Sequence, residues 1–146
     1  MDPVEFFQFG LKIIGGSKAP GSAACLSAIS RAYYAALYRA DQTLAVLGVS
    51  CGKGPQKHGL AVRFLHATDD PDLKKGSRTL DDLRTQRTKA DYDMSDVSVE
   101  KVSQAKKALG FAKDIIDCLE AVENEATRRT SAESYIKSHQ RKTHTP

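Results

Sequence analysis

The chain has no tryptophan, only two methionines and only three cysteines in 146 residues. Cys25, Cys51 and Cys118 are odd in number and far apart, and none forms a CxxC pair. That excludes a disulfide scaffold and a clustered zinc or thioredoxin-like motif. Cys25 and Cys118 stand in apolar, helical surroundings and read as small core fillers. Cys51, among glycines, is the candidate exposed thiol, with no basic partner fixed beside it. No apolar run approaches the ~20 residues that span a bilayer. The opening Met1-Asp2-Pro3-Val4-Glu5 is acidic and lacks the basic region of a signal peptide. The expectation is a cytoplasmic protein without membrane attachment. No segment alternates with the period of two that a strand needs, and no internal repeat is present.

Specific chemistry is also sparse. His58, His66, His139 and His144 lack metal-ligand spacing. Gly52-Lys53-Gly54 lacks the remainder of a phosphate loop. Nucleophile elbows and dinucleotide fingerprints are missing. No metal and no cofactor are expected.

What is present is charge and helical periodicity. Charged residues make up 27% and hydrophobic residues 40%, ordinary values for one globular domain. The net charge of +4 is localised. From Arg128 onward stand Arg128, Arg129, Lys137, Arg141 and Lys142 against the single acid Glu133, and the rest of the chain balances to zero. The basic end can meet phosphate or simply stay solvated.

Asp2 as N-cap, Pro3 at the first position and Glu5 in the first turn predict a first helix, ended by Gly15-Gly16. Leu26, Ile29, Tyr33, Leu37, Ala40, Leu44 and Leu47 form one apolar stripe, predicting a long second helix from about Ser22 to Leu47. Ala24, Ala28, Ala32, Ala35 and Ala36 give that helix a second, small-residue face that invites close packing. A short third helix starts at Lys57. Asp69-Asp70-Pro71-Asp72 reads as a turn, and a fourth helix is expected from about Thr79 to Tyr92. Asp93 to Val97 reads as a linker and Ser98 as the next N-cap. Val102, Ala105, Leu109, Ala112, Ile116 and Leu119 predict a second long helix from about Val99 to Ala126. The expected fold is all-α, an antiparallel four- to five-helix up-and-down bundle over residues 1–128. Residues 129–146 are expected to be a disordered basic tail.

Three segments, in order, resemble the HEPN superfamily, in particular its small single-domain prokaryotic members. They are Ser30-Arg31-Ala32-Tyr33-Tyr34-Ala35-Ala36-Leu37, Lys57-His58-Gly59 followed by Phe64, and Arg87-Thr88-Lys89-Ala90-Asp91-Tyr92. The likeness runs from about Ser22 to Glu120. It implies a helical bundle, commonly a homodimer, with its working end near the Arg87 segment. Members are often metal-independent ribonucleases, and many sit beside a nucleotidyltransferase in toxin–antitoxin pairs. The nuclease-type motif places a His four to six residues after its Arg, and none follows Arg84 or Arg87 at that spacing. Imidazole titrates naturally near neutrality, whereas an Asp in that role needs a raised pKa.

The expected function is an RNA- or nucleotide-associated toxin–antitoxin or stress/defence component acting as a dimer, with the missing His arguing against nuclease activity. The alternative is a non-catalytic interaction module that partners a nucleotidyltransferase. Arg87, Asp91 and Tyr92 are the candidate catalytic residues of a weak ribonuclease. Arg84, Arg87, Arg31, Lys57 and His58 are the candidate phosphate-binding residues. Arg84, Arg87 and Asp91 share a helical face. The plainer alternatives are an Arg87–Asp91 ion pair closing the helix, a snorkelling Arg31 beside a half-buried Tyr34, and a His58 that only packs or caps.

Overall fold

The computed structural model describes residues 2–15, 20–92 and 101–144. Every regular element among them is a helix: α1 (Pro3–Ile14), α2 (Ser22–Val46), α3 (Lys57–Ala67), α4 (Pro71–Tyr92), α5 (Val102–Asn124) and α6 (Ala126–His144). The chain is therefore all-α, with six helices among the described residues rather than four or five. None is long and apolar enough to cross a membrane. The expected linker from Asp93 to Val97 and the cap at Ser98 lie outside the described residues.

α2 is the central element because it is apolar on two faces. Ile29, Tyr33, Leu37, Ala40 and Leu44 are buried on one, and Ala28, Ala32, Ala35 and Ala36 on the other. It packs against α1, α3, α4 and α5. Each fully buried Ile or Leu contributes roughly 2 kcal/mol. α1 starts as its sequence dictates, with Asp2 Oδ1 accepting a 2.9 Å hydrogen bond from the Val4 amide and Pro3 in the first turn. It comes close to α5 through Gly10, where a Cβ would lie 2.8 Å from Leu109 Cδ2. On the α5 stripe, Ala105, Leu109, Ala112, Ile116 and Leu119 are buried. Arg39 of α2 ties that helix to α5, donating two hydrogen bonds to Glu123, at 2.9 and 3.0 Å. Thr43 adds a third at 2.6 Å.

Three expectations are corrected. First, α4 begins at Pro71, more than two turns before Thr79. Asp70 is its cap: Oδ1 accepts from the amides of Asp72 at 3.0 Å and Leu73 at 3.2 Å, and Pro71 takes the position where a missing N–H costs nothing. The apparent turn is thus a helix start. Thr79 sits inside the helix, its hydroxyl donating back to the Lys75 carbonyl.

Second, the stretch expected to fray is α6. It packs on α5 and α3, burying Ala132 and Ile136. Arg128, counted above with the basic tail, is its clamp. It donates to Asp70 Oδ2 at 2.7 Å, Asp70 Oδ1 at 2.8 Å and Asp72 Oδ2 at 2.8 Å. This one cation neutralises acids at the start of α4, so that part of the positive end is not free.

Third, Cys51 is buried, 1% exposed. Gly48 and Gly52 adopt φ of +91° and +71°, conformations that glycine takes without strain. The loop they shape turns Val49 and Cys51 inward. Burial pushes the Cys51 thiol above its usual pKa, which makes it a poor nucleophile.

Candidate functional site

α2, α3, α4 and the loop before α3 enclose a cleft of about 530 Å³. Its lining includes Tyr33, Tyr34 and Tyr38 from α2, Lys53 from the loop, Lys57 and His58 from α3, and Arg84 and Arg87 from α4. Four side chains are cationic and none is a carboxylate.

Arg87 lies deepest. Its Nη2 donates a 2.7 Å hydrogen bond to Tyr34 Oη. Its guanidinium carbon lies 5.5, 5.3 and 5.5 Å from the ring centroids of Tyr33, Tyr34 and Tyr92. Nε stands 3.2 Å from Asp91 Oδ2, outside hydrogen-bonding geometry, and is otherwise buried without a partner. Burial works against the charge, but the Tyr34 hydrogen bond and the nearby Asp91 carry the Arg87 pKa above the usual arginine value. The guanidinium stays charged inside a tyrosine cage.

His58 is 5% exposed and has both ring nitrogens engaged. Nδ1 lies 3.0 Å from Tyr33 Oη, and Nε2 lies 3.0 Å from Asp81 Oδ1. Burial holds its pKa below the usual histidine value, against the pull of Asp81. A neutral ring then donates from Nε2 to the Asp81 carboxylate and accepts the Tyr33 proton at Nδ1. Burial pushes Tyr33 up to about 12, against the lowering effect of Arg87 and Arg84, so its phenol keeps the proton it donates.

Lys57 is also occupied, at 3.0 Å from Asp41 Oδ2 and 5.7 Å from the Tyr38 ring centroid. Arg84 and Lys53 are exposed and make no ion pair or hydrogen bond among the described residues. They are the cations that remain open to an incoming anion.

The structure thus brings together Arg84, Arg87, Lys57 and His58 among the residues singled out from sequence. Asp91 pairs with Arg87 but does not line the cleft, and Tyr92 is 70% exposed at the end of α4. Arg31 is elsewhere, between Phe6 and Phe9 of α1, with its guanidinium 5.3 Å from each ring centroid. Four participants were missed. Lys53 stands in a Gly-Lys-Gly stretch that fails as a phosphate loop, Tyr33 reads as a member of the core stripe, Tyr38 falls off that stripe, and Asp81 lies in a helix turn that the periodicity leaves unassigned to a face. The signal for Asp81 was its spacing of three from Arg84, which puts both on one side of α4.

Among the described residues, no group of three or more His, Cys, Asp or Glu is placed to hold a metal ion. Comparison with known proteins finds no family model, no curated protein and no solved structure that matches the chain.

Proposed function

We propose that the cleft binds the phosphate of RNA or of a nucleotide-bearing ligand, with a base lying against its tyrosines. One observation carries this reading: four cations and three tyrosines line a single cleft with no carboxylate among them, and Arg84 and Lys53 are open. Guanidinium groups pair with phosphate oxygens, and aromatic rings stack on bases of any sequence. The reading is binding rather than cleavage. Both nitrogens of His58 are engaged, and Asp91 is paired with Arg87, so neither offers a free base.

The HEPN-like assignment belongs to the same proposal. All three segments that carry the resemblance contribute to this lining, through Tyr33 and Tyr34, Lys57 and His58, and Arg87. With it come an antiparallel up-and-down arrangement, a homodimer, and a toxin–antitoxin or stress/defence role beside a nucleotidyltransferase.

The test is fluorescence anisotropy with labelled RNA at low and high salt, wild type beside Arg84→Ala. Salt-sensitive binding weakened about tenfold in the variant is the expected result, with the RNA left intact. Equal binding by the two proteins would sink the reading and leave the cleft as a docking surface for a protein partner.

A further inference from the structure

The cleft does not end at Tyr38. Phe6 of α1 stacks on Tyr38, with centroids 5.9 Å apart and planes 26° apart. Tyr38 stacks in turn on Tyr34 at 6.0 Å and 25°. Beyond Phe6, the Arg31 guanidinium lies against both Phe6 and Phe9. Rings and cations therefore form one continuous run from Phe9 on α1, through Phe6, Tyr38 and Tyr34, to Arg87 on α4. Core packing does not account for its outer end. Phe9 is 50% exposed, an apolar ring left in water, and Arg31 has no carboxylate partner among the described residues. Glu5 lies on the same outer rim.

We propose that this run is a track for single-stranded nucleic acid that leads into the cleft, with bases against the rings and the backbone near Arg31 and Lys53. The proposal rests on the phosphate-binding reading of the cleft and extends it from a mononucleotide to a strand. Unpaired bases expose the faces that aromatic rings recognise, whereas a duplex hides them. An acidic peptide matches the cations but has few planar faces to place on Phe9. Arginine interleaved with aromatic rings serves both halves of a strand, since it pairs with phosphate and stacks on bases.

The experiment compares a mononucleotide, a trinucleotide and a hexanucleotide of RNA, each binding to the full chain, with an oligoglutamate peptide as competitor. The wild type is expected to gain about tenfold or more in affinity from mononucleotide to hexanucleotide. Phe9→Ala with Arg31→Gln is expected to lose that gain and keep the mononucleotide affinity. Phe9→Leu, which preserves apolar packing but removes the ring, is expected to lose part of it even if the double variant folds poorly. Equal affinities at all lengths in the wild type overturn the track alone. So does a Phe9→Leu protein with the full length gain, or an oligoglutamate peptide that competes as well as RNA. A wild type that binds no RNA of any length overturns the cleft reading as well.

Discussion

Arg87 of α4 donates a 2.7 Å hydrogen bond to the phenol oxygen of Tyr34 on α2. The same guanidinium lies against the rings of Tyr33 and Tyr34, so it joins two of the three helices that enclose the cleft. Arg84, one turn earlier, is exposed and makes no ion pair or hydrogen bond among the described residues. Two arginines on one helical face thus differ: Arg87 holds the wall, and Arg84 is the one that the proposed binding assigns to the ligand.

This division has a direct consequence. Arg87→Ala is expected to cost about 2 kcal/mol of stability, because it empties a tyrosine cage and leaves Tyr34 unpaired. Arg84→Ala is expected to stay within about 0.5 kcal/mol of wild type, as surface substitutions do. Urea melts of the two variants check this. Equal losses would mean that Arg84 is also structural.

His58 gives a pH signature. Burial lowers its folded-state pKa, so folding disfavours its protonated form. The unfolded chain then binds more protons once the pH drops below about 6.5, and stability falls with it. The contribution is complete above that pH and is lost toward the lower folded value. His58→Asn is expected to flatten the fall in Tm between about pH 7 and pH 5, since the other histidines are common to both proteins. Asp70 and Glu123 have lowered pKa values through Arg128 and Arg39, and their contributions are lost only at lower pH, near and below about 4. Parallel Tm profiles for wild type and variant would show that His58 does not titrate in this window.

Asp70 serves two helices. Its carboxylate caps α4 and holds Arg128 of α6. Asp70→Ala is expected to cost about 2 kcal/mol, from a lost cap and a lost bidentate pair. Arg128→Ala keeps the cap, loses the bidentate pair and the exposed contact to Asp72, and is expected to cost less. Thermal denaturation orders the two, and the reverse order would contradict the cap assignment.

Ile136 tests α6. It is fully buried, on a segment whose composition suggested a solvated tail. Ile136→Ala is expected to cost about 2–4 kcal/mol by equilibrium unfolding. A variant as stable as wild type would mean that α6 does not pack in solution.

The helices that were legible are those with long apolar stripes. α2 and α5 announce themselves because every three or four residues a side chain must leave water, and that period is the helix's own. α1 was legible from its cap, since Asp2-Pro3 specifies a start locally. α4 and α6 were not. The first turns of α4 carry Lys74, Lys75 and Arg78 around Leu73, and α6 carries Ala132 and Ile136 among polar residues. Such short apolar signals mean little until another helix covers them.

The cleft divides in the same way. The amino-acid sequence alone determined an all-helical chain, the helices α2 and α5, the shared face of Arg84 and Arg87, and the absence of a paired-cysteine or phosphate-loop motif. Only the tertiary structure decided that His58 stands between Tyr33 and Asp81, that Lys57 is spent on Asp41, and that Arg31 lies with Phe6 and Phe9 rather than with the other arginines. Those facts depend on which helices meet and at what rotation. Periodicity fixes which residues share a face, but burial against a partner fixes where that face points.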